Sequence, residues 1–223
     1  MPTFDFEDGK GPINAAQHAN GGGWVGSKAT VDATAYVGPN AKVYGVAQVK
    51  LDARITGYAE VFGGAVVNGS AVISESASVF GGATILNSAQ VKGHAEVFGR
   101  ATVRGAAIVS GTTSVLGRAT VLGQAQVADE AIIHGQAIVR DRASIGNSAE
   151  VHGDCEVYGD AVVSEKARIH GLSKVYGDCR VRGKAKVAGT SGISGSAVIE
   201  GTKEMYVGDV INEGIWKDNR PKL

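Results

Sequence analysis

Aromatic side chains make up only 6% of the 223 residues, with four prolines and two cysteines. So few cysteines exclude a disulfide scaffold. No charge sign is in excess. The 22 basic residues cancel the 22 acidic ones, which removes the overall bias expected of a nucleic-acid or anionic-membrane binder. No apolar run reaches about 18 residues, so a transmembrane helix is excluded. The opening MPTFDFEDGKG lacks both a basic region and an apolar stretch, so cytoplasmic synthesis without a secretory signal is expected. What is abundant is glycine, at 33 residues, and a hydrophobic share of 43% drawn largely from small and β-branched side chains.

That composition is arranged with a period of six. From Ala29 to Thr202 the chain divides into 29 consecutive hexads without insertion or deletion, such as AEVFGG from Ala59, AQVKGH from Ala89 and ARIHGL from Ala167. The third position is Val or Ile in all 29 units. The first is Ala in 24, the exceptions being Thr113, Cys155, Ser173, Cys179 and Ser191. The fifth is Gly in 20 and Asn or Asp in four more: Asn87, Asp129, Asp141 and Asn147. Positions one and three lie two apart, so in a strand they share one face. Each unit thus offers one small and one β-branched inward side chain. Gly, Asn and Asp tolerate positive φ, so the fifth position reads as a bend. A strand of about four residues cannot stand alone, so the units must stack on one another.

These three columns resemble the hexapeptide-repeat proteins, closest to bacterial and phage-encoded members with continuous A-x-V-x-G repeats. The resemblance covers 29–202 and implies an all-β fold. That fold is a single-stranded left-handed parallel β-helix, triangular, with about 18 residues per coil. Glycine falls two residues after the aliphatic one here, and directly after it in the best-known members. A three-sided right-handed helix, as in bactofilins, is the alternative. The 29 hexads would make nearly ten coils, a prism roughly 45 Å long at about 4.8 Å per stacked strand. Segments 1–28 and 203–223 change character and are expected to cap the two ends. Phe4, Phe6 and Trp24 would serve at one end, and Tyr206 and Trp216 at the other.

If the chain returns to the same side every third unit, outward positions form vertical stripes. One fourth-position stripe reads Tyr44, Phe62, Phe80, Phe98, Leu116, His134, His152, His170, Ala188. Its upper part is expected to be an association stripe, since contiguous exposed apolar patches are uncommon on monomers. The neighbouring Lys42, Glu60, Ser78, Glu96 and Ser114 would give it a polar rim. The alternative is a surface ladder worth roughly 0.2–1 kcal/mol per cross-strand pair.

His134, His152 and His170 are candidate metal ligands, because imidazoles on adjacent strands could converge on one ion. Against this, three collinear ligands do not surround a tetrahedral centre, and no carboxylate is expected beside them in the stripe. A passive or pH-sensitive ladder is the alternative, in which acid brings like charges together and loosens the coils. Cys155 and Cys179 occupy the inward small position and read as buried thiols.

Hexapeptide-repeat families include acyltransferases and metal-dependent carbonic anhydrases, but function has to be argued from a site. No loop interrupts the 29 units, and no Asp or Glu is expected two residues from a histidine in a cleft. The expectation is therefore a non-catalytic rigid rod with no cofactor, acting through homo-oligomer or protein-partner contacts. A homotrimer is favoured, and the setting expected is a virion or tail. An acyltransferase-like enzyme using acyl-CoA, with an intersubunit site near the histidines, is the alternative. Ice binding is disfavoured, because Thr84, Thr102 and Thr120 stack without a paired threonine column.

Overall fold

The computed structural model describes residues 2–217. The described residues form β-strands, turns and bends without a helix. Most strands are two residues long and consist of the second and third positions of a hexad. They sort into three parallel sheets, each taking every third strand in chain order. The register is uniform: Ser78 pairs with Glu96, Thr84 with Thr102 and Gln90 with Ile108. Each pair is one coil of 18 residues. The result is a three-sided β-solenoid.

The columns explain the winding. Every Val or Ile at the third position from Val37 to Ile199 is fully buried, and so is nearly every Ala at the first. Burying one Val contributes about 1.5–3 kcal/mol, and each coil buries three such residues. The five exceptions at the first position are all buried too, and four of them turn their polar atom back onto the carbonyl three residues earlier, while Cys179 Sγ reaches Ile193 O at 3.9 Å. Thr113 Oγ1 donates to Ser110 O at 2.6 Å, Ser173 Oγ to His170 O at 2.9 Å and Ser191 Oγ to Ala188 O at 2.8 Å. Cys155 Sγ does the same to His152 O at 3.2 Å. Burial pushes the thiols up, Cys155 to about 12 and Cys179 to about 11, so both stay protonated and inert.

At the fifth position, 27 of the 29 residues have positive φ; Ala33 and Pro39 do not. The Asn and Asp residues do more than tolerate this conformation. Asp129 Oδ2 accepts the backbone N–H of Asn147 one coil on at 2.7 Å, and Asp141 Oδ2 that of Gly159 at 3.2 Å. Leu51, Glu75 and Glu165 hold φ near 60° without such a preference. The left-handed region costs such residues about 1–2 kcal/mol each.

The solenoid has about eleven turns rather than nearly ten, because it extends past both limits of the hexads. In chain order, β1 (Thr3–Phe4) and β2 (Ile13–Gln17) form an antiparallel hairpin, and β3 (Trp24–Gly26) already pairs in parallel with Lys42–Val43. Trp24 is therefore a strand residue of the first coil. Gly23 takes the small inward position there. A Cβ on it would sit 2.2 Å from Gly38 O and 2.6 Å from Val37 Cγ1. At the other end Met205 stacks under Val187 and Ile211 under Ile193, both buried. The final strand, Ile215–Lys217, aligns Trp216 with Ile199, one residue short of a full coil. Residues 218–223 lie outside the described part.

The two ends differ. The hairpin lies on β3, and Phe4 stacks on Trp24 at 4.4 Å while Phe6 is buried. The turn after β2 covers β5 (Tyr36–Val37), with Val37 N donating to Asn20 O at 3.0 Å and Gly23 N to Val37 O at 2.9 Å. Between them, β4 (Thr30–Val31) pairs only with Gln48–Val49. A hollow of about 670 Å³ lies over it, lined by Ala15, Val25, Ala29 and Val31. At the C-terminal end Tyr206 is 57% exposed and Trp216 45% exposed.

Candidate functional site: an aromatic and imidazole row

Because the register returns each fourth position to the same face, its side chains stack at the coil spacing. Tyr44 and Phe62 lie 4.9 Å apart between ring centroids, Phe62 and Phe80 4.8 Å, and Phe80 and Phe98 4.8 Å, with planes within 5° of parallel. Phe6 extends the row toward the N-terminus, stacking on Tyr44 at 4.7 Å. Tyr44 is thereby buried, while Phe62, Phe80, Phe98 and Leu116 are half-buried. Beyond Leu116 the row continues as imidazoles: His134 and His152 at 4.7 Å, His152 and His170 at 5.1 Å. Ala188 ends it, buried.

The polar column beside the row is engaged with it. Tyr44 Oη donates to Glu60 Oε2 at 3.1 Å, and Lys42 Nζ lies 3.1 Å from Glu60 Oε1 and 2.6 Å from Glu7 Oε2. Burial, followed by the Glu60 carboxylate, raises the Tyr44 hydroxyl well above its ordinary value. The same diagonal recurs lower down. His134 Nε2 lies 3.1 Å from Glu150 Oε1, and Arg140 Nη2 lies 3.3 Å from Glu156 Oε2. In all three cases the partners are 16 residues apart, a fourth position reaching the second position of the next coil.

The histidine stripe itself holds no carboxylate, as expected, but Glu150 reaches the histidines from the neighbouring second-position column. It opens the strand Glu150–Val151 and precedes His152, the residue just after that strand, by two. The signal was in the sequence, in the unit AEVHGD from Ala149. The rim column Lys42, Glu60, Ser78, Glu96, Ser114 reaches Glu150 when followed two coils further. Glu150 Oε1 is also 3.9 Å from His152 Nε2, and its other oxygen is held by Arg168 Nε at 3.2 Å. Burial opposes ionisation of Glu150, but the His134 hydrogen bond and the charges of His152 and Arg168 outweigh it, and its pKa falls. His152 is also lowered, by burial first and then by its cationic neighbours, against the pull of Glu150. A depressed His pKa means the unfolded chain binds the proton more tightly. Stability contributed by neutral His152 is therefore present above its ordinary value of 6.5 and declines as pH falls below it.

His170 stacks on His152 but stands apart from this cluster; the ligand-capable atoms within 4.8 Å of one another belong to His134, Glu150 and His152. A second face carries a smaller row. Tyr158 and Tyr176 stack at 4.9 Å, and the Arg140 guanidinium lies 3.9 Å above the Tyr158 ring.

No family model matches the chain, and comparison with curated proteins finds no match either.

Proposed function

We propose that the chain is a non-catalytic rigid rod, a left-handed solenoid that associates through its aromatic row with other copies of itself. The observation that carries this reading is the run of parallel rings from Phe62 to Phe98, half-buried and unbroken over three coils. Stacking within one chain satisfies the ring faces and leaves the ring edges outward. Edges in a line bordered by Glu60 and Glu96 make an apolar seam with a polar rim, the usual anatomy of an interface. Copies with parallel axes would bring seam to seam, and a trimer suits a three-sided prism. A virion or tail fibre, where length and stiffness matter more than chemistry, is the setting proposed.

The test is mass. Phe62, Phe80 and Phe98 changed together to Ser should convert the assembly to monomer in light scattering, with the far-UV circular dichroism of the solenoid retained. A wild-type monomer, or an unchanged mass in the triple variant, overturns the reading. The competing acyltransferase reading draws on one observation, the His134–Glu150 hydrogen bond, which resembles a base with its orienting carboxylate. Saturable acetyl-CoA binding that His134→Ala abolishes would favour it over the rod.

A further inference from the structure

We propose that His134, Glu150 and His152 form a binding site for a single divalent transition-metal ion of the zinc class, which ties two successive coils together. The straight histidine row cannot enclose an ion, but the carboxylate moves the ligand set off the line. Glu150 Oε1 stands 3.1 Å from His134 Nε2 and 3.9 Å from His152 Nε2, and all three ligand atoms lie within 4.8 Å of one another. A tetrahedral zinc with bonds of about 2.0–2.1 Å needs its ligands about 3.3 Å apart. One edge of that triangle is therefore close to length. The others close by tilting the two rings, which are only partly buried.

Ligand chemistry agrees with geometry. Two imidazole nitrogens and one carboxylate oxygen form a borderline donor set suited to zinc, with a fourth position open to water. Side-chain exposures of 35%, 27% and 31% for His134, Glu150 and His152 leave an entry path. Arg168 holds Oε2 at 3.2 Å, which fixes the carboxylate and turns Oε1 toward the imidazoles. The other two carboxylates on the same diagonal lack this capacity. Glu60 faces the Lys42 ammonium at 3.1 Å, and Glu156 faces the Arg140 guanidinium at 3.3 Å. At Glu150 the Arg168 guanidinium takes only Oε2, while Oε1 faces His134 on the diagonal and His152 two residues along its own chain, both nitrogens that can be neutral.

Titrating Zn²⁺ alone into the full-length protein at neutral pH, followed by calorimetry, tests the proposal. One ion per chain is expected. Glu150→Gln, which keeps the side chain's shape, should weaken binding by at least about tenfold, and His152→Ala should abolish it. His170→Ala should leave the site intact. The absence of saturable uptake by the wild-type protein, or equal affinity in His152→Ala, overturns the proposal. So does loss of the ion in His170→Ala with retention in Glu150→Gln, which would assign binding to the collinear row. Circular dichroism of each variant separates lost binding from lost fold, and Co²⁺ absorption in the wild type gives a second readout of four-coordinate geometry.

Discussion

The outer row has two halves on one backbone. From Tyr44 to Phe98 it is aromatic, and from His134 to His170 it is imidazole, with Leu116 between them. Both halves stack at 4.7–5.1 Å with nearly parallel rings. The scaffold is indifferent to which side chain it displays, because the Ala and Val columns set the spacing and the outward position inherits it. Chemistry therefore varies along the rod while geometry does not. The aromatic half is suited to burial against another surface. The imidazole half, with Glu150 beside it, is suited to an ion.

The most severe way to break the comparison is to insert one residue between Gly117 and Arg118. Every residue downstream would move one place along its hexad, carrying the Val column to the outward fourth position and the imidazoles onto the bend. The coils after the insertion are expected to lose protection in hydrogen exchange while those before it keep theirs. Deleting a whole coil, residues 99–116, should leave the solenoid folded and set Phe98 directly over His134. A middle-sized effect comes from truncating each half at its centre. Phe80→Ala removes two stacked contacts and should cost about 2 kcal/mol, whereas His152→Ala should cost about 0.5 kcal/mol. Denaturant midpoints of the two variants, at matched slope, check the ranking. A further change sharpens the contrast by erasing it. His134→Phe with His152→Phe adds a second stacked aromatic pair beyond Leu116 and should raise stability by up to about 1 kcal/mol while removing any Zn²⁺ binding.

The vertical columns were legible from the sequence because each depends on one residue's place in its own hexad. Phe62, Phe80 and Phe98 share a face for the same reason that Val61, Val79 and Val97 share the core. Diagonal contacts were not legible in the same way. They depend on which way a long side chain leans, so Glu150 meeting His134 required the rotamers as well as the register. The limits of the solenoid were hidden for a different reason. Gly23, Val25, Met205 and Ile211 fill inward positions without spelling A-x-V, and packing accepts them on volume alone. The fifth-position column was half legible: positive φ was readable from Gly, Asn and Asp, but Leu51, Glu75 and Glu165 adopt it because the coils on either side require it.

The invariant coil has a consequence for how such a molecule changes over generations. Since Ser78 answers Glu96 and every later pair repeats that offset, material can be gained or lost in whole coils without disturbing any face. Duplication in such units lengthens the protein in steps of about 4.8 Å. The chain is in that sense a ruler, and its graduations are heritable.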